Sequence, residues 1–76
     1  MKMTFGERVH FLRLAHGLTQ EELAEKVGFT HKSSISKIEK NVNEVPLSVL
    51  VKIATILHTT PNFLLGWNEE ESNPED

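Results

Sequence analysis

Cysteine is absent from the chain, which excludes a disulfide framework and every cysteine-ligated zinc site, and suits a reducing cytoplasm. Long apolar runs are missing too. The most apolar stretch, Val45 to Leu57, is broken by Ser48, Lys52 and Thr55, so no membrane span is expected. Met1 to Gly6 lacks the apolar length of a signal peptide. There is no internal repeat. His10, His16, His31 and His58 fall in separate segments without close ligand spacing, so neither a metal nor a cofactor is expected. Ser33, Ser34 and Ser36 lie near His31 but lack a third orienting group and a glycine-rich nucleophile turn, which argues against hydrolase chemistry and against any enzyme. What remains is one small domain of 76 residues, near the lower size limit for a core without staples. The sequence reads as a cytoplasmic protein.

An excess of positive charge is also lacking: the formal net charge is −3, the wrong sign for a protein that neutralises phosphates. The distribution changes that reading. Up to Trp67 there are eight basic and six acidic residues, whereas Asn68 to Asp76 holds five acids and no base. The acidity therefore belongs to the end of the sequence, and His31 to Lys40 carries three lysines against Glu39 alone, a local field that attracts anions.

Helix signals recur along residues 4–67. Thr4 and Glu7 have capping-box spacing ahead of a helix from about Phe5 to Ala15, with Phe5, Val9 and Leu12 on one face and Gly17 at its end. Thr19 and Glu22 repeat the box, Leu23, Ala24 and Val27 form the stripe, and Gly28 closes a short second helix. Thr30 is then expected to cap a third helix through Lys40, with Ile35 and Ile38 inward, Asn41 as a left-handed stop and Phe29 filling the corner. Pro46 starts a fourth, in which Leu47, Leu50, Ala54 and Leu57 take core spacing beside a second stripe of Val49, Ile53 and Ile56. Thr60 and Pro61 open a fifth, with Phe63 and Leu64 inward, Gly66 stopping it and Trp67 over the core edge. Residues 1–67 are thus the domain. Residues 68–76 read as a disordered acidic tail or the start of a linker.

Two short helices joined by Gly28, Phe29 and Thr30 fit a helix-turn-helix, whose second helix enters the major groove of DNA. At about 100° per residue, the face opposite Ile35 and Ile38 carries Ser33, Ser36, Lys37 and Lys40. Lys32 stands further round, but its long stem reaches a base or phosphate from the helix start. Lysine donates to guanine or phosphate, and serine both donates and accepts. A merely solvated face would have the same composition.

The run Arg8 to Gly28, RVHFLRLAHGLTQEELAEKVG, followed by Ile35-Ser-Lys-Ile-Glu39 and Thr60-Pro-Asn-Phe-Leu-Leu-Gly-Trp67, resembles the Cro/CI (XRE) helix-turn-helix family of phage and bacterial repressors. The resemblance covers about residues 4–67. It implies an all-α, five-helix, lambda-repressor-like fold that binds a double-stranded DNA operator. It implies that Gln20 meets a phosphate or base edge at the start of the second helix, and that Arg13 and Glu39 form an internal ion pair rather than a DNA contact. Lys32, Ser33 and Ser34 match the family's contact-bearing stretch provided the turn absorbs one extra residue, because Gly28 to Ile35 is one longer than usual. Ser36, Lys37 and Lys40 do not depend on that. Asn41 stands where glycine is usual, and Asn41 and Asn43 are expected phosphate ligands.

These features point to a phage-type repressor acting as a homodimer on a pseudo-palindromic operator. Val49, Ile56, Phe63, Leu65 and Trp67 are the candidate dimer residues, and a further C-terminal domain beyond Asp76 is the other source of a dimer contact. A second reading stays open: an antitoxin-like protein-interaction module that binds DNA secondarily.

Overall fold

In the computed structural model, which describes residues 3–67, the capping box at Thr4 closes as expected. The Glu7 N–H donates to Thr4 Oγ1 at 3.1 Å and the Thr4 N–H donates to Glu7 Oε1 at 2.8 Å. Five helices follow in order: α1 Phe5–Ala15, α2 Gln20–Val27, α3 Ser33–Glu39, α4 Leu47–Ile56 and α5 Pro61–Leu65. No strand occurs among the described residues. The acidic segment 68–76 lies outside them.

Local chemistry sets most boundaries. Thr19 and Glu22 form the second box, at 3.0 and 2.8 Å, and Gly17, Gly28 and Asn41 adopt left-handed φ values of 70°, 101° and 60°. The Thr60 hydroxyl accepts from the Phe63 N–H at 3.1 Å to start α5. Helices of five to eleven residues are marginal in water by themselves. They stand because Val9, Leu23, Ile35, Ile53, Leu57 and Leu64 are fully buried together, each worth about 1.5–3 kcal/mol.

The start of α3 departs from expectation. Thr30 does not cap it: the helix begins at Ser33, and the residue before it, Lys32, is helical in conformation and makes no side-chain cap. The Phe29 N–H is spent on the Ala24 carbonyl at 2.8 Å, and its ring packs against the core. Thr30 and His31 are left to complete the connection, and the Ser34 N–H reaches the His31 carbonyl. The connection between α2 and α3 thus runs over residues 28–32. Thr30→Ala is therefore expected to change stability by less than about 0.5 kcal/mol, whereas Thr19→Ala should cost about 1 kcal/mol. Urea unfolding of the two variants would separate them.

Two core assignments also change. Leu47, in the first turn of α4, is 72% exposed, and the buried face is Leu50, Ile53, Ala54 and Leu57. This face combines the two stripes, with Val49 and Ile56 half-buried beside it. Trp67 is 67% exposed and does not close the core edge. The Arg8 side chain already occupies that place: Arg8 is buried, its guanidinium lies 5.2 Å from the centre of the Phe63 ring, and it packs beneath Gly66. The Trp67 N–H turns back to the Asn62 carbonyl.

Candidate nucleic-acid interface

The helix-turn-helix face is held by one carboxylate. Glu39, in the last turn of α3, accepts from Arg13 Nε at 2.6 Å on Oε2, and from Arg13 Nη2 at 3.2 Å and Gln20 Nε2 at 3.0 Å on Oε1. His10 Nδ1 lies 3.0 Å from the same Oε1 and 3.1 Å from Arg13 Nη2. Arg13 Nη1 also donates to the Leu18 carbonyl at 2.8 Å. The cluster therefore joins α1, the α1–α2 connection, the start of α2 and the end of α3. The Arg13 and Glu39 side chains are only 8% and 5% exposed, so the pair is internal. Burial pushes the Glu39 carboxyl up, but hydrogen bonds from Arg13, His10 and Gln20 and the Arg13 charge outweigh it and hold it below the usual glutamate range.

A second clamp fixes the other end of α1. Asn41 Oδ1 accepts from the Gly6 N–H at 2.8 Å, and Asn41 Nδ2 donates to Thr4 Oγ1 at 2.9 Å. Asn41 thus satisfies a free donor at the α1 N-terminus while its left-handed backbone ends α3. Gly6 is required at this contact: a Cβ there would lie 2.5 Å from the Ile38 carbonyl oxygen and closer still to that of Glu39.

These clamps set the positions of the residues expected to contact DNA. Gln20 and Lys32 line one hollow beside the α2 N-terminus. Lys32, Ser33, Lys37 and Lys40 are exposed, and Ser34 and Ser36 are half-buried along the same helix. Gln20 is half-buried; one Nε2 hydrogen goes to Glu39, and the same nitrogen carries a second. Asn43 is exposed in the following loop, whereas the Asn41 amide is already engaged by α1. Ile35 and Ile38 anchor α3 in the core. The outcome is a short helix with an inner apolar face and an outer face of lysine and serine, flanked by the amide-bearing start of α2. Such a surface can neutralise phosphates and offer donors and acceptors to base edges.

His10 is the member of the cluster that sequence reasoning missed. Its spacing of three from Arg13 within α1 was available as a signal, but only folding brings Glu39 to both. The Gly6–Asn41 contact left no comparable trace.

Comparison with known proteins agrees with this geometry. The sequence pattern of the helix-turn-helix family matches residues 9–64. An uncharacterised HTH-type transcriptional regulator of Rickettsia prowazekii is 34% identical over 70 residues, which cover 92% of this chain and 53% of that protein. The chain spans little more than half the length of such curated relatives. Among solved structures, the P22 c2 repressor in complex with a synthetic operator superposes with a TM-score of 0.81 at 25% identity, covering 88% of this chain and 100% of that one. SinR in complex with DNA, described as the master regulator for biofilm formation, gives 0.71 at 34% identity, covering 80% and 97%.

Proposed function

The chain belongs to the helix-turn-helix family of the Cro/CI type, and from that premise we propose that it is a sequence-specific transcriptional regulator that places α3 in the major groove of double-stranded DNA. The observation that carries this reading is the outer face of α3. Lys32, Ser33, Lys37 and Lys40 are exposed on a helix whose other face is fixed by Ile35, Ile38 and Glu39. A groove-reading helix needs that combination, since its side chains must meet base edges from a rigid mount.

The mode of action is a phage-type repressor that occupies its operator as a homodimer. One domain supplies few base contacts, and a two-fold dimer on half-sites about 34 Å apart doubles them. Leu65 and Trp67 at the end of α5 and Leu47 and Val51 on α4 are exposed apolar side chains, suited to the self-contact. Gln20 holds a phosphate beside the α2 N-terminus, where the N–H groups already favour anions. Lys32 and Asn43 bind the backbone, Ser33, Ser34, Ser36, Lys37 and Lys40 face the groove, and Asn41 acts mainly by setting α1 against α3.

Selection of binding sites from random duplexes by the full chain tests this, and an inverted repeat is the expected outcome. Lys37→Ala should then weaken binding to the selected site about tenfold and relax base preference at one position, with an unchanged melting temperature because Lys37 is exposed. No enrichment of any sequence would overturn the reading.

A further inference from the structure

One titratable side chain of the Glu39 cluster reaches the surface. His10 stands on α1 with 51% of its side chain exposed, against 5% for Glu39. Both of its contacts run through one ring nitrogen: Nδ1 lies 3.0 Å from Glu39 Oε1 and 3.1 Å from Arg13 Nη2. Nε2 has no hydrogen-bond partner among the described residues. Gln20 Nε2 donates to the same Glu39 oxygen at 3.0 Å, so the imidazole and the Gln20 amide stand side by side at one atom. Building on the major-groove reading above, in which Gln20 meets the DNA backbone, we propose that His10 is a further phosphate ligand and that it binds as the imidazolium, so that DNA binding takes up a proton.

Hydrogen-bond polarity decides the protonation state. The Glu39 carboxyl is held below the usual glutamate range, so at neutral pH it is a carboxylate that can only accept, whereas Arg13 Nη2 can only donate. A neutral ring protonated on Nε2 offers a donor to the phosphate but turns the Nδ1 lone pair towards Glu39 Oε1. A neutral ring protonated on Nδ1 satisfies Glu39 but presents a lone pair to the phosphate. Only the imidazolium donates on both sides, to Glu39 through Nδ1 and to a phosphate oxygen through Nε2.

The charges around the ring balance in the same direction. Those in contact with it are Arg13 on α1 and Glu39 on α3. Glu7, one turn earlier on α1, is committed to the Thr4 N–H, and Lys37, the other charge of α3, is exposed on the outer face. The start of α2 presents the uncharged Gln20 amide, and α5, the other helix packed on α1, carries no charged residue. Arg13 opposes the second ring proton, and Glu39 favours it. A bound phosphate adds a second anion, which tips the balance towards the imidazolium. By reciprocity, protonation tightens DNA binding by the same factor. Glu39 Oε1 then meets three donors with two lone pairs. The uncharged Gln20 amide is the weakest held of the three, so the same proton releases Gln20 towards the backbone.

Titration of the full chain on its selected duplex at fixed salt, at pH 8 and at pH 6, tests the assignment. The affinity should rise about fivefold per protomer on going to pH 6, the change expected of one imidazole whose charged form DNA favours about tenfold. Calorimetry at pH 7 in two buffers of different ionisation enthalpy should show net proton uptake on binding by the parent chain. His10→Gln should remove most of the rise and leave binding at pH 6 about fivefold weaker than that of the parent. His10→Lys, charged at both pH values, should bind more tightly than the parent at pH 8 and also lose the rise. His31→Gln should keep it, because His31 lies in the α2–α3 connection and is not part of the Glu39 cluster. Equal affinity of the parent at both pH values, with no proton uptake, would overturn the proposal and leave the major-groove reading intact. A rise that survives His10→Gln would also overturn it. Failure to bind any duplex at either pH would overturn both.

Discussion

Gly6→Ala is expected to lower the melting temperature by more than about 10 °C. Alanine is the better helix former by about 1 kcal/mol, so propensity alone predicts stabilisation. Packing reverses the sign. The added carbon would lie 2.5 Å from the Ile38 carbonyl oxygen, and both groups it meets on α3 are backbone, which cannot rotate aside as a side chain can. Relief requires α1 to move off the end of α3, which would break the hydrogen bond from the Gly6 N–H to Asn41 and shift α3 against the cluster at Glu39. A net cost of about 2–3 kcal/mol follows from overpacking of this kind. Thermal and urea unfolding would measure it. Stability equal to or above that of the parent would show that the two helices do not approach so closely.

Arg13→Ala should cost about 3 kcal/mol or more, because removing one partner strands a buried charge. Glu39 would keep the hydrogen bond from Gln20 and the contact with His10, which places the cost at the lower end of the range for a broken buried pair. The pH dependence gives an independent readout. In the parent, the folded-state carboxyl of Glu39 is held below its ordinary range, so its contribution is complete above the usual glutamate pKa. It is lost as pH falls through that range towards the folded-state value. Without Arg13, burial is opposed by less, and the loss on the acid side should be shallower. Double substitution of Arg13 and Glu39 by apolar residues should recover part of the stability. An unshifted melting temperature for Arg13→Ala would mean that the pair does not close in solution.

The contacts at Gly6 and at Arg13 differ in how far the sequence reveals them, and the difference has a physical origin. Arg13 and Glu39 were expected to meet from resemblance, whereas nothing in the sequence marks Gly6 as the residue under the end of α3. Features fixed by neighbours within one turn were readable. The boxes at Thr4–Glu7 and Thr19–Glu22, and the left-handed stops at Gly17, Gly28 and Asn41, each depend on residues three or four apart. Features fixed by packing between distant elements were not. Thr30 has the chemistry of a cap, but the docking of Phe29 decides where α3 begins. Leu47 fits the core spacing of α4, but the rest of the bundle buries Ile53 in preference. Trp67 is the larger apolar group, yet Arg8 fills the edge beside Phe63 and Gly66.

The same division runs through the proposed DNA-facing surface. The outward direction of Lys37 and Lys40 follows from the helical period and the two isoleucines, so rotation alone places them. The engagement of Asn41 with α1 and of His10 with Glu39 depends on how α1 crosses α3, which periodicity does not encode. Lys32, Ser33 and Ser34 sit where the connection of residues 28–32 passes into α3, a boundary that helical periodicity does not encode.

Titration of the full chain on its best selected duplex and on a random duplex, each at two salt concentrations, tests the central claim most directly. A groove-reading α3 should bind the selected site tighter than the random duplex by about a thousandfold or more. The affinity should also fall steeply with salt, at a slope of about −0.9 for each phosphate neutralised. Equal, weak and salt-insensitive binding to both duplexes would contradict it.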